Sequence, residues 1–451
     1  MIVEGTSMSS TESFSFLVGK RHIVSLGGLE GRKTFFENKD FSVSQGFVEL
    51  LTGLVSSNEA RDDYGAAFFV KCVAALSRAE RLNQKLPILI SDTRKFCRDL
   101  ATGPTSKLYG DWRVTDITQS VYVHLYRLIH RSTGVTEIAE DDRMLLRTLR
   151  IFETFERSTS VVRIVFPWLI TPNYLIRVVA GARLYMMIKK ILDKRDQTGR
   201  REEDALQYLY DEEGDSDKVI KFIFSALSSS VTMTGAAVTW LMVFLANSPE
   251  WQEKCRAEAD LVISTHRKTP THARDDVLDT MSLHLWESSF PVLYACLQET
   301  LRLTSTGTFF RKNVSGSDIP IGDTGEVIPN GSYAAYLPDH VHMDESIYPD
   351  PLKFDPSRFL EPISSSEKDP HSLLGWGSGR HLCAGMRLAR LEINVIAVHL
   401  LVNFDLELSD KQGCSRLGEM SPVDRNMLRP EKPRIATYMR YKLRDIATAK
   451  A

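Results

Sequence analysis

The run Leu374-Gly375-Trp376-Gly377-Ser378-Gly379-Arg380-His381-Leu382-Cys383-Ala384-Gly385-Met386 concentrates the residue types best able to do chemistry. Three glycines precede a cysteine and one follows it. A helix then opens, with Leu388, Leu391, Val395, Val398 and Val402 falling on one face. Cys383 therefore stands at a helix N-terminus, where unpaired backbone N–H groups and the helix dipole favour a negative sulfur. The thiolate is the metal-binding form of cysteine, whereas a lone cysteine near glycines is more often a buried structural thiol. Glycines upstream permit a tight, bulged turn and close approach of backbone to a flat ligand.

Two further groups carry charge in a regular arrangement. Glu299-Thr300-Leu301-Arg302 sets a carboxylate and a guanidinium three residues apart on one helix face, and Phe354-Asp355-Pro356-Ser357-Arg358-Phe359 follows before the cysteine loop. Arg311 lies in Phe309-Phe310-Arg311. Alone, each would read as a surface charge worth little.

Taken in order, these motifs resemble the cytochromes P450 from roughly residue 14 to the C-terminus. The cysteine loop matches F-G-x-G-x-[RH]-x-C-x-G at every constrained position except Trp376, which stands where the family has Phe. The resemblance implies haem b with Cys383 as its thiolate ligand, a ligand that pushes electron density onto iron and favours O–O cleavage. Trp376, Gly377, Gly379 and Gly385 then shape the haem-binding loop, while His381 and Arg311 match positions that contact haem propionates. Glu299, Arg302 and Arg358 would form a buried triad bracing the haem-facing side. No W-x-x-x-R segment occurs early enough to supply a third propionate partner, since Trp112-Arg113 lies too late. Glu299 to Thr304, Trp376 and Asp405 to Leu408 are similar to the branch holding prostacyclin synthase and the bile-acid sterol hydroxylases. The overall texture is similar to filamentous-fungal enzymes of secondary metabolism.

The central helix departs from the family pattern. Its tail is present as Trp240, Asn247, Ser248, Pro249 and Glu250. Counting back from Trp240 puts Ser229 and Ser230 at the small-residue groove, Thr232 at the acid and Met233 at the threonine that donates a proton. The acid–alcohol pair that relays protons for oxygen scission is thus absent. Thr232 and Thr234 flank Met233 by about 100° each, so a local π-bulge could turn one inward. Ser228, Ser229 and Ser230 could instead order a proton-carrying water. Prostacyclin synthase, which rearranges a peroxide without dioxygen, also lacks the threonine.

The elements that must hold these residues are mostly helical. Leu145 to Phe155, Leu184 to Leu192, Val219 to Leu245, Phe290 to Leu303 and Met386 to Val402 carry apolar residues at three- and four-residue steps. Phe14 to Leu26 reads as a hairpin turning at Gly19-Lys20. Strand-like segments return only at 318–321, 326–329, 406–408 and 434–441, and the charged run Asp193 to Lys218 reads as a solvated loop. The expected fold is mainly α with a small β-sheet region, one cytochrome P450 domain over residues 1–451.

Composition excludes other classes. With 451 residues, 43% hydrophobic and 25% charged, the chain is ordinary globular protein, and its net charge of -2 without a basic stripe argues against nucleic-acid binding. Six scattered cysteines with no C-x-x-C pair read as reduced thiols. No stretch supplies the ~18–20 apolar residues of a bilayer span, and no secretory signal precedes the first strands. Family members anchored to the endoplasmic reticulum carry an upstream membrane helix and a proline-rich hinge. Here the first proline is Pro87, so the chain reads as lacking that anchor. It is expected to be soluble as given, or to sit at the cytosolic face of that membrane if an anchor was removed.

The resemblance implies a monooxygenase that inserts one oxygen atom from O2 into a lipophilic substrate such as a terpenoid, a steroid or another secondary metabolite. Electrons would come from NADPH through a reductase that docks near Arg380, Arg387 and Arg390. The alternative is a haem-thiolate isomerase, dehydratase or peroxide-rearranging enzyme that does not use O2. A haem sensor without turnover is the remaining class.

Overall fold

The computed structural model describes residues 5, 8–47, 63–103, 107–159, 162–166, 168–269, 272–360, 370–420, 422–427 and 429–444. Eight helices bear on the site: α1 (Gly28–Glu37), α2 (Ile117–Thr133), α3 (Asp142–Arg157), α4 (Pro172–Thr198), α5 (Ala205–Glu213), α6 (Ser216–Asn247), α7 (Pro291–Thr304) and α8 (Met386–Asn403). The strands are β1 (Phe14–Val18), β2 (Arg21–Leu26), β3 (Phe41–Ser42), β4 (Lys107–Tyr109), β5 (Trp112–Asp116), β6 (Phe309–Asn313), β7 (Ile319–Pro320), β8 (Val327–Ile328), β9 (Tyr333–Tyr336), β10 (Phe404–Ser409) and β11 (Tyr438–Leu443). They form a five-stranded sheet in the order β1-β2-β9-β6-β3, a four-stranded sheet β10-β11-β5-β4 and the pair β7-β8.

The opening hairpin turns at Gly19, whose φ of 63° is the left-handed conformation such a turn requires. Its second strand pairs in parallel with β9, which brings the start of the chain beside residues more than 300 positions later. The central helix α6 has 32 residues and is buried without a break from Thr234 to Ala246. By length and composition it could cross a bilayer, but 78% of its most apolar window is buried in the protein. Helix α8 buries Leu388, Leu391, Val395, Val398 and Val402 as their spacing requires.

Two expectations are corrected. Strands are more numerous than expected: β6 and β9 lie inside the five-stranded sheet, and β5 lies inside the four-stranded one. Strand β9 (Tyr-Ala-Ala-Tyr) is buried at all four positions, so it shows no alternation for a period-two pattern to reveal. The charged run 193–218 is not a loop but the end of α4, all of α5 and the start of α6. Its charges have local uses. Asp204 caps α5 through Gln207 N–H, Asp215 caps α6 through the N–H groups of Asp217 and Lys218, and the buried guanidinium of Arg195 bridges Glu137 and Asp204.

Candidate active site

The cysteine loop is built from glycines that cannot be replaced locally. Gly377 and Gly379 have φ of 74° and 62°. A Cβ on Gly377 would lie 2.6 Å from the His381 carbonyl oxygen, and one on Gly379 would lie 2.3 Å from that of Phe36. Gly375 packs equally close to Leu301, where a Cβ would meet that side chain at 2.6 Å. The loop therefore presses backbone against α1 on one side and α7 on the other. It closes on itself through Cys383 N–H, which donates to the Trp376 carbonyl at 2.8 Å. Gly385 caps α8.

Cys383 is exposed, whereas Cys72, Cys97, Cys255 and Cys296 are buried. Backbone N–H groups of Gly385 and Met386 bond to its sulfur and pull its pKa down, as a helix N-terminus should. Burial by the surrounding wall outweighs them and leaves the thiol raised above its ordinary value. A coordinated metal would strip the proton outright.

Glu299, Arg302 and Arg358 meet. Arg302 and Glu299 are fully buried and joined by two parallel bonds of 2.7 and 2.8 Å, and Arg358 Nε lies 3.5 Å from Glu299 Oε1. The same carboxylate oxygen accepts from Asp355 N–H at 3.0 Å. Arg302 also donates to the carbonyls of His342 and Pro351. His342, which sequence reasoning did not single out, carries this network into the cysteine loop. Its Nε2 accepts from Leu374 N–H at 3.0 Å, three residues before Gly377. Burial, with Arg302 and Arg425 beside it, lowers its pKa to about 3, so the ring is neutral and can accept. A lone histidine in Asp339-His340-Val341-His342 gives no pattern that could have disclosed this role.

Arg311 sits on β6, 4% exposed, with its guanidinium carbon 4.6 Å from the Phe35 ring and 5.5 Å from that of Phe36. Among the described residues its Nη1 has no hydrogen-bond partner and no carboxylate pairs with it, and burial alone lowers its pKa to about 10. His381 is exposed, and burial followed by repulsion from Arg311 and Arg380 holds its pKa below the ordinary value. Arg311 and Arg380 thus bring positive charge beside the cysteine loop, next to the His381 ring. Trp376 is half-buried, and its indole N–H has no partner among the described residues.

Helix α6 presents Ser225, Ser229 and Met233 as one exposed stripe at four-residue spacing, Met233 being 38% exposed. Ser230 is half-buried beside it. The helix is regular α throughout, so no π-bulge turns a threonine onto that face. Thr234 is buried at 6% exposure within the packed stretch. Thr232 lines a small cavity of about 120 Å³ with Glu153, Glu156, Arg429 and Lys432, and its buried hydroxyl has no partner among the described residues. Ser228 donates to Glu156 Oε1 at 2.7 Å in the same region, where Glu156 also pairs with Arg429 at 2.6 Å. Of the alcohols near Met233, Ser229 is the one that shares its face.

Of the arginines expected to dock a reductase, Arg387 is held by Glu287 at 2.6 and 3.0 Å and Arg390 lies over the Tyr294 ring, while Arg380 is exposed.

A mainly helical fold with two small sheets, a glycine-bound cysteine loop opening a helix and a buried Glu–Arg pair beneath it define a class of enzyme. The cytochrome P450 family model matches residues 118–436. The chain is 30% identical over 417 residues to the cytochrome P450 monooxygenase nsrP of Aspergillus novofumigatus, covering 90% of this chain and 79% of that one. It is 31% identical over 417 residues to the cytochrome P450 monooxygenase dmxR5 of Cryptosporiopsis sp., covering 89% and 78%. A solved structure of retinoic acid bound cyanobacterial CYP120A1 shares the fold, with a TM-score of 0.74 at 18% identity over 98% of this chain and 94% of that one. The chain belongs to the cytochrome P450 family and is an oxidoreductase of the monooxygenase type.

The family implies haem iron, and the residues present fit it. A thiol follows two glycine-enforced turns and opens a helix, and Arg311 has a donor without a partner among the described residues, suited to an anionic substituent.

Proposed function

We propose that the chain binds haem b through Cys383 and inserts one oxygen atom from O2 into a lipophilic substrate, a terpenoid, steroid or other secondary metabolite, with electrons from NADPH through a reductase. The observation that carries this reading is the cysteine loop, whose geometry leaves one thiol exposed at a helix N-terminus beneath two backbone N–H donors. The haem, when bound, supplies the electron-rich iron needed to activate oxygen. This chain's residues do the rest. Gly377 and Gly379 hold the sulfur in place, and Trp376 and Gly385 bound the loop. Arg311 would neutralise a propionate and His381 would hydrogen-bond to one. Glu299, Arg302 and Arg358 fix the loop through His342 and Leu374.

On the opposite face, Met233 excludes water while Ser229, one turn before it, orders a proton-carrying water. Thr232 and Ser230 border that stripe, and Thr234 packs behind it. The absence of an acid–alcohol pair favours one rival, a haem-thiolate enzyme that rearranges an oxygenated substrate without O2. Two measurements test the proposal. Cys383→Ala should lose the red-shifted Soret band of the reduced, CO-treated protein, and retention of that band would end the thiolate assignment. Product formation should need NADPH, reductase and O2 together. Full anaerobic turnover without reductase would select the rival.

A further inference from the structure

Helix α6 carries two adjoining rows of alcohols. Ser225 and Ser229 share the exposed stripe with Met233, whereas Ser228 and Thr232, one turn apart, look towards α3 and the segment 429–432. Ser229 and Thr232 are three residues apart, so the rows are neighbours on the helix surface, with about 5–6 Å between Cβ atoms. Against the second row lies the cavity of about 120 Å³. Glu156 of α3 is 9% exposed there, its Oε1 accepting from Ser228 at 2.7 Å and its Oε2 lying 2.6 Å from Arg429. The other α3 carboxylate at the cavity, Glu153, is held by Lys432 at 3.3 Å. The Trp240 indole donates to the Glu431 carbonyl at 2.9 Å, which pins this segment to α6. Arg157 lines the outer side and is exposed, so the cavity meets solvent.

An ion pair with Arg429 accounts for one oxygen of Glu156, and the other is bonded to the helix that bears Met233. The Thr232 hydroxyl, buried and without a partner among the described residues, opens onto the same space. A polar cavity of this size holds a few waters, and an orphaned hydroxyl near a carboxylate gives such water the partners it needs. Insertion of one oxygen atom from O2 consumes two electrons and two protons and releases the other atom as water. Protons must therefore cross from solvent to the Met233 stripe, yet α6 carries no carboxylate after Asp217. We propose that Glu156 is the acid of this relay, a role that rests on the monooxygenase reading. Protonated from solvent, it donates to cavity water. That water donates to Thr232, whose own proton passes to the water at Ser229, and Glu156 is left as carboxylate to be protonated again. Ser229 can hold that water, because its O–H is given to the Ser225 carbonyl at 3.0 Å and its lone pairs are left to accept.

The test compares two oxygen sources in the haem-loaded protein, with styrene as the probe substrate. NADPH, reductase and O2 need protons, whereas iodosylbenzene transfers its oxygen atom and leaves iodobenzene without protons or electrons. Glu156→Gln keeps an acceptor for Ser228 but cannot ionise. It should slow styrene oxide formation from O2 by at least about tenfold, short of the full worth of a positioned acid because bulk water still supplies some protons. Its solvent deuterium isotope effect should rise, while the iodosylbenzene reaction keeps its parental rate. Thr232→Val should repeat this pattern, and the double variant should be no slower than the slower single one. Glu156→Asp should recover most of the rate. Equal slowing with both oxygen sources would make Glu156 a structural tie and overturn the relay, as would parental rates with both. So would the same loss in Glu153→Gln, which removes a carboxylate from the same cavity. Independently of turnover, a crystal structure of the haem-loaded protein should show ordered water bonded to Thr232 Oγ1 and Glu156, and a dry cavity would overturn the proposal. Parent protein that oxidises styrene with iodosylbenzene but never with NADPH, reductase and O2 would overturn the monooxygenase reading and the relay with it. Unchanged haem content and far-ultraviolet circular dichroism in each variant show that it is folded.

Discussion

Arg302 makes four hydrogen bonds, two to Glu299 and one each to the carbonyls of His342 and Pro351, with no exposed surface. A group so enclosed cannot turn to water when a partner is lost. Glu299→Ala and Arg302→Ala should each strand a buried charge at a cost of about 3–5 kcal/mol and yield protein with little bound haem. Normal haem content and parental turnover in either variant would refute the brace. Met233 makes a second test at this scale. With protons delivered by water near Ser229, Met233→Thr adds a donor on the exposed stripe. Product per NADPH consumed should then hold or rise while peroxide release falls. A slowed reaction that ignores O2 would point to the rearranging enzyme instead. Cys383, Glu299, Arg302 and Arg358 could be found in the sequence because each sits in a short run whose spacing is itself the signal. His342 could not, since its partners are backbone groups of distant segments.

Helix α8 carries a carboxyl group where none can ionise cheaply. Glu392 is 1% exposed and accepts a 2.7 Å bond from Ser132, and burial raises its pKa to about 8. Its folded pKa lies above the usual 4.5, so the stability that goes with its neutral form is full below 4.5 and is lost as pH rises through 8. Buried His124, His130 and His342 act in the opposite direction. Their folded pKa values of about 3 lie below the usual 6.5, so stability is present above 6.5 and drains as pH falls towards 3. The melting temperature should therefore peak near pH 6.5, where the three histidines have reached their full contribution. Between pH 6.5 and 8 it should fall by up to about 1.4 kcal/mol of stability per pH unit through Glu392. In Glu392→Gln, which keeps the Ser132 bond, that alkaline decline should flatten; if the slope persists, the group is not what sets it. Helices of this kind were legible from apolar periodicity. Strands β6 and β9 were not, because both are interior to a sheet, and the charges of 193–218 masked helix caps and a buried bridge as solvated loop.

Across the whole molecule, the site draws on α1, β6, α6, α7 and the loop before α8, elements spread over most of the chain. A cofactor that binds only the folded state stabilises it by mass action, about 2.7 kcal/mol at a hundredfold excess over its dissociation constant. Stripping haem should lower the melting temperature. It should also raise amide exchange at 371–385 and 309–313, while β10 and β11 in the other sheet keep their protection. Uniform loosening of both sheets would show that haem organises the entire fold rather than this one region. The general fold class was readable because long periodic helices dominate, whereas the way the sheets join the two ends of the chain was not. That joining bears on how the enzyme is made. Gly379 fits only against the carbonyl of Phe36, so the cysteine loop must close on a helix more than 300 residues earlier in the chain. During synthesis at about 5–20 residues per second, α1 waits for more than 300 further residues before its partner exists. The cysteine loop can therefore close only once residue 379 has been made and has emerged, so haem capture comes late in synthesis and a nascent chain stalled before residue 379 cannot perform it.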